Sequence, residues 1–169
     1  MSVLVADTSA LVSLGIVGTA ATDPLALCLD TYEVLVPEIV VDELEDVASY
    51  DDAHGRGAQA VLDQTDGFSI RSVSLDAAFP LDDGENAAVT LANETDAAML
   101  LCDEFNQLGL IHASLANTRL VTTPTLLSVF VRNGQMDAGV ASSSLDAISA
   151  ARSWETNQYV DRARSLLEE

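Results

Sequence analysis

Lysine is missing from this chain: its seven basic residues are all arginine, against 27 aspartates and glutamates. That absence excludes a P-loop, whose lysine reaches the bound phosphates. Phosphotransfer folds with an aspartate ending the first strand, such as haloacid-dehalogenase-like phosphatases and response-regulator receivers, typically need a lysine too. The former also want a second aspartate where this chain carries Ser9. Cysteine is scarce as well. Cys28 and Cys102 stand alone, without CxxC or metal-ligand spacing, and in a reducing compartment both read as buried thiols. Long apolar runs are absent, because an acid interrupts each one before it reaches the length of a membrane span. The first residues lack a basic segment and Asp7 would break a signal core, so no secretory signal is expected and the expected location is the cytoplasm.

What is present suits one domain with a real core: 169 residues, 49% of them hydrophobic. The net charge of −20 would suggest disorder in a polar chain, but mean hydropathy is positive, at +0.24, and apolar periodicity runs throughout. Such self-repulsion is tolerable where salt screens it, and at molar salt the screening length is about 3 Å. A halophilic, archaeal source is therefore expected, and the acidity then says little about whether the partner is a nucleic acid.

The chain opens on a buried-strand pattern, Val3 to Ala6, which stops at Asp7 and is followed by Thr8, Ser9 and a helical repeat of Ala10, Leu11, Leu14 and Val17. Gly15 and Gly18 fall within or after that helix, so they are not a dinucleotide fingerprint. Pro24 opens a second short helix, and Tyr32 to Pro37 is a second strand that hands over to a helix with Ile39, Val40, Leu44 and Val47 on one face. A turn from Tyr50 to Gly57, holding His54, leads to a helix with Ala58, Val61 and Leu62. His54 reads as a surface residue. Phe68 to Val73 alternates as an edge strand. Asp82 or Asp83 caps the next helix, and Ala97 to Cys102 is a buried strand ending at Asp103 and Glu104. A helix over 108–115 follows, then a short strand from Arg119 to Pro124 ending in hydroxyls, and a helix from Thr125 closed by Asn133 and Gly134. Beyond residue 133 lies a tail with two amphipathic segments, Leu145 to Ala151 and Tyr159 to Leu167, with Trp154 between them as a core or dimer contact. This alternation predicts one α/β domain: three layers, α/β/α, a central and mostly parallel sheet, a core over 1–133 and a helical tail over 134–169.

Acids recur where such a sheet binds ligands, beyond the carboxyl ends of its strands. Asp7 and Asp103 each end an apolar strand. Glu43 stands out within the run Asp42, Glu43, Glu45 and Asp46, because it lies three residues after Val40, at the edge of the apolar stripe. Glu85 falls in the first turn of its helix, where the alternative reading is compensation of the helix dipole. Asp7 alone could equally be a helix cap; two acid-ended strands make capping a weaker explanation for both.

In this order Val5-Ala-Asp7-Thr-Ser-Ala-Leu11, Val36-Pro-Glu-Ile-Val-Val-Asp-Glu43-Leu44, Gly84-Glu85-Asn-Ala-Ala-Val-Thr-Leu-Ala92 and Leu100-Leu-Cys-Asp103-Glu104 resemble the PIN-domain family, the nuclease fold of VapC-type toxins, over about the first 130 residues. The resemblance implies an acidic tetrad of Asp7, Glu43, Glu85 and Asp103, with Glu104, Ser9 and Thr123 in support. Asp7, Asp103 and Glu85 would ligate the metal, leaving the helix cap to Thr8 and Ser9. It further implies metal-dependent hydrolysis of RNA phosphodiesters, a homodimer and, for a toxin, an antitoxin protein. Carboxylates without His or Cys are hard ligands suited to Mg2+ or Mn2+. Basic residues that would hold the substrate are few, with Arg119, Arg71 and Arg56 as candidates. Two other expectations compete: a PIN-like binding or assembly module acting through its tail, and a hydrolase of small phosphoesters.

Overall fold

The apolar run after Ser2 sends alternate side chains into two separate cores. In β1 (Val3–Ala6), Leu4 and Ala6 join one core and Val5 the other. β2 (Glu33–Pro37) repeats this with Val34 and Val36 on the first side and Leu35 on the second. With β3 (Ser69–Arg71), β4 (Met99–Leu101) and β5 (Arg119–Val121) these strands form a wholly parallel sheet in the order β3-β2-β1-β4-β5. Val5 lies level with Leu35 on one flank and Leu100 on the other. These observations come from a computed structural model, which describes residues 1–168; Glu169, the last residue of the expected tail, lies outside them.

Helices α5 (Asp83–Thr95) and α6 (Leu108–Ser114) cover the Val5 face, through Val89, Leu91, Leu108 and Ile111. The opposite face is covered by α1 (Thr8–Ile16), α2 (Pro24–Thr31), α3 (Glu38–Ala48), α4 (Ala53–Leu62) and α7 (Thr123–Arg132). The architecture is therefore the three-layer α/β/α arrangement with a parallel sheet that the sequence predicts. The tail forms α8 (Ala138–Arg152) and α9 (Gln158–Leu167), whose Leu145, Ile148, Val160 and Ala163 join the same core as α1 and α7. It is packed as part of the domain. Trp154 is a core residue, set edge-on to Phe105 with ring centroids 4.9 Å apart. Among the described residues no helix is long and apolar enough to cross a membrane.

Two local expectations need correction. Residues 50–57 are not one turn: α4 already starts at Ala53, capped by Asp52 accepting from the Gly55 amide at 2.9 Å, so half-buried His54 is helical. Its glycines serve close packing, since a Cβ on Gly15 would stand 2.0 Å from the Gly57 carbonyl oxygen, and the two helices meet there backbone to backbone. The strand from Arg119 stops at Val121, and Thr122 caps α7. Pro124 opens that helix instead of closing the strand, because a proline in the first turn has no amide to leave unpaired.

Sheet order places the site. The chain winds outward through β2 and β3 on one side of β1, then crosses back to β4 on the other. The switch point thus lies between β1 and β4, and beyond their carboxyl ends stand Asp7 and Asp103.

Candidate functional site

Asp7 leaves β1 with its amide still paired to the Leu101 carbonyl at 3.1 Å, so the residue that follows β4, Cys102, comes to lie beside it. Its side chain is held by three hydrogen bonds, which leave one acceptor site on Oδ2 open. Oδ1 accepts from the Ala10 amide at 3.1 Å and from Ser9 Oγ at 2.8 Å, and Oδ2 accepts from the Cys102 thiol at 3.0 Å. Asp7 is therefore itself the cap of α1; the assignment of that cap to Thr8 and Ser9 is corrected, because neither side chain reaches a free helix amide. Ser9 instead ties the two strand ends together. Its hydroxyl donates to Asp7 and accepts from the Asp103 amide at 3.0 Å.

Asp82, Glu43, Glu85 and Glu104 join Asp7 around one small cavity of about 30 Å3, lined further by Thr8, Ser9 and Gly84. Glu43 comes from α3, whose apolar stripe of Val40 and Leu44 faces the core and leaves Glu43 at its edge. Thr8 Oγ1 donates to Glu43 Oε1 at 2.8 Å. A Cβ at position 84 would lie 2.0 Å from Glu43 Oε1, so any other residue there would push that carboxylate out of its present place. Glu85 lies in a capping box: its amide donates to Asp82 Oδ1 at 2.8 Å, and its Oε2 accepts from the Asp82 amide at 3.3 Å. Dipole compensation and a place in the cavity wall thus belong to the same residue. Asp103 stands behind the wall: its Oδ1 accepts from the Thr123 amide at 2.7 Å, while its Oδ2 is buried with no hydrogen-bond partner. Thr123 supports it through the backbone amide, and the Thr123 hydroxyl is itself buried without a partner.

Electrostatically the cluster is short of positive charge. Burial pushes the Asp7 carboxyl from the ordinary value of 3.8 to about 7, against the pull of its Cys102, Ala10 and Ser9 hydrogen bonds and with some help from Asp103. Glu43, Glu85, Asp103 and Glu104 are all shifted upward too, chiefly by burial, and Asp82 adds repulsion at Glu43, Glu85 and Glu104. The Cys102 thiol is held protonated by burial and by the charge of Asp7, which makes it a hydrogen-bond donor to the site and not a nucleophile. Among the described residues no group of three or more His, Cys, Asp and Glu side chains stands in position to hold a metal ion directly. The donor chemistry nevertheless fits a hard cation: five carboxylates, no lysine, arginine or histidine in the cavity wall, and an orphaned oxygen on Asp103 behind it.

Compared with known protein families, residues 3–169 match the PIN domain. The chain belongs to the PIN-domain family. Among solved structures this PIN domain is similar to a PilT N-terminus domain protein from the hyperthermophilic archaeon Sulfolobus solfataricus P2, at 18% identity and a TM-score of 0.52. The likeness covers 75% of this chain and 92% of that one. It is a likeness of fold. A search of curated proteins finds no match.

Three members of the site escape a reading of the sequence. Asp82 reads as a cap and Cys102 as an inert thiol, although each sits within three residues of a motif acid. The third is Arg152, at the end of α8 and 143 positions from its partner: its Nη1 donates to the Ser9 carbonyl at 2.6 Å and to Ser13 Oγ at 3.0 Å. Its guanidinium lies over the Trp154 ring, 5.7 Å from the centroid, and draws down the Asp103 and Glu104 carboxyls. The PIN domain's own tail thus supplies a cation to its acidic site, whereas Arg56, Arg71 and Arg119 are absent from the cavity wall. Arg152→Met is expected to lower stability by about 2 kcal/mol in urea unfolding, since the Ser9 carbonyl and Ser13 hydroxyl lose a charged donor. Arg164→Met, which removes only an exposed pair with Asp146, is expected to cost less than about 1 kcal/mol. Equal losses from the two variants would refute the buried role of Arg152.

Proposed function

We propose that this PIN domain is a Mg2+- or Mn2+-dependent endoribonuclease acting through the Asp7 cavity, and the toxin of a toxin–antitoxin pair. One observation carries the reading. Carboxylates from four separate stretches of the chain, at Asp7, Glu43, Asp82 with Glu85, and Glu104, surround a space of about 30 Å3, with the unpartnered Asp103 Oδ2 behind. That volume suits an ion with a water, and Mg2+ keeps several of its waters. Asp7, Glu85 and Asp103 would hold the cation with the help of its bound waters, since they do not stand as a direct three-ligand set, and Glu43 and Glu104 would complete the negative field.

When bound, such a cation supplies an acidified water and neutralises charge on the phosphate, so no protein nucleophile is needed. The chain's residues prepare for it. Ser9 and the Thr123 amide fix Asp7 and Asp103, Thr8 orients Glu43, and the Cys102 thiol holds Asp7 Oδ2. Second-sphere hydrogen bonds of this kind keep ligands in place before the ion arrives.

Incubation of the purified chain with RNA and Mn2+ tests the reading. Cleavage of RNA is expected, whereas turnover of mononucleotides without RNA cleavage would favour the small-phosphoester alternative. Thermal denaturation separates the nuclease from a mere binding module: Mn2+ is expected to raise Tm, and Glu85→Gln to remove most of that increase. A rise of equal size in Glu85→Gln would contradict the assignment of Glu85.

A further inference from the structure

We infer that a second cavity, lined by α6, β5, α7 and α9, binds a nucleotide of a single-stranded RNA substrate, with the base stacked on Tyr159 and its phosphate facing Arg119 and His112. The inference rests on the nuclease reading for the identity of the polymer, and on geometry of its own for the site.

This cavity measures about 370 Å3, within the range of sites that hold small ligands, and includes His112, Arg119, Thr122, Thr125 and Tyr159 in its wall. No acid lines it, in a chain that carries 27. Among the described residues no carboxylate pairs with Arg119 or His112. Arg119 is therefore a cation without internal neutralisation, and the His112 imidazole in the same wall adds a ring N–H donor, which together suit a phosphate. Thr122 and Thr125 add hydroxyls.

Tyr159 supplies the platform. It opens α9, is 45% exposed, and yet is held in a fixed stack: its ring lies 5.2 Å from Phe105 at 17°, and Phe105 meets Trp154 edge-on. One face of the Tyr159 ring is thus occupied by Phe105, and the residue is also part of the cavity wall. An aromatic backed by other aromatics offers a base a rigid surface at little ordering cost, and stacking of this kind accepts any base. Bases in a duplex are not available for it, which selects a single strand.

Short stretches of chain connect this subsite to the acidic cavity and to the carboxylate behind it. Phe105, under Tyr159, directly follows Glu104 in the acidic wall. Thr122 precedes Thr123, whose amide holds Asp103. A strand with one phosphate at the carboxylates has further nucleotides to place, and this acid-free cavity offers one of them a site.

Fluorescence anisotropy of a short single-stranded oligoribonucleotide, measured with Mn2+ on the full chain carrying Asp7→Asn to prevent cleavage, tests the subsite. Tyr159→Leu in that background is expected to weaken binding about tenfold, and Tyr159→Phe to leave it nearly unchanged. Arg119→Gln, at an exposed position whose side chain makes no ion pair among the described residues, is expected to lower the slope of log affinity against log salt by about 0.7, the value for one lost phosphate contact. Binding unaffected by both Tyr159→Leu and Arg119→Gln overturns the subsite. If the wild type cleaves RNA while those variants bind normally, the subsite falls and the nuclease reading stands. If binding depends on Tyr159 but the wild type never cleaves, the nuclease reading falls and the subsite stands. Tighter binding of the deoxyribonucleotide of the same sequence overturns the assignment to RNA.

Discussion

Asp7→Asn is expected to lower Mn2+-dependent RNA cleavage by at least about a hundredfold, since loss of a group that holds the metal should cost no less than the upper end of what loss of a residue merely supporting a ligand does. It is also expected to leave the fold intact. Asparagine is as good a helix cap as aspartate, so the bonds from the Ala10 amide and Ser9 hydroxyl to Oδ1 can persist. What disappears is a buried negative charge that the fold opposes, as the upward displacement of the Asp7 carboxyl to about 7 shows. The metal-free variant at pH 8 is therefore expected to melt about 5 °C or more above the metal-free wild type. Loss of activity accompanied by a gain in stability separates a ligand from a structural residue. A variant that cleaves within about tenfold of the wild type would remove Asp7 from the mechanism.

Without metal, the protein is expected to become less stable as the pH rises from about 4 to about 7, the reverse of the usual carboxylate pattern. The sign follows from where the proton is held more tightly. Asp7 binds its proton more tightly in the folded state, with the carboxyl near 7, than in the unfolded chain, near 3.8. Its contribution is thus greatest below the unfolded value and is lost as the pH passes through about 7. That difference in proton affinity corresponds to roughly 4 kcal/mol. Glu43, Glu85, Asp103 and Glu104 move the same way. A divalent cation competes with these protons, so saturating Mn2+ is expected to offset the decline as the pH approaches and passes about 7, by about 2.7 kcal/mol at roughly a hundredfold excess over its dissociation constant. Melting curves at constant ionic strength, with chelator and with Mn2+, measure both arms. A metal-free Tm that climbs with pH would contradict the burial of these acids.

The acids of this site resist sequence reading because most of them have two roles. Asp7 caps α1 and faces the cavity; Glu85 closes a capping box and lines the same wall; Asp82, a cap by its local pattern, lines it as well. A local pattern cannot divide these roles, since a carboxylate at a helix start looks the same either way. Glu43 is legible through its place beside the Val40 and Leu44 stripe. The relation between Asp103 and Glu104 is not. Which of two adjacent acids lines the cavity depends on how the chain leaves β4, and here Glu104 lines it while Asp103 faces the start of α7.

The sequence by itself determined the elements, the alternation of faces in each strand and the order of the acid motifs, because hydrophobic period and capping chemistry act within a few residues. It also carried the family likeness. Tertiary structure alone decided which side chains meet. Cys102 reaches Asp7 because parallel pairing in register sets β4 beside β1. Arg152 reaches Ser9 because α8 packs against α1 and α7, and Tyr159 stacks on Phe105 because α9 packs beside them. Those contacts join residues up to 143 positions apart. Only burial of a shared core brings them together, and no local signal in the chain encodes it.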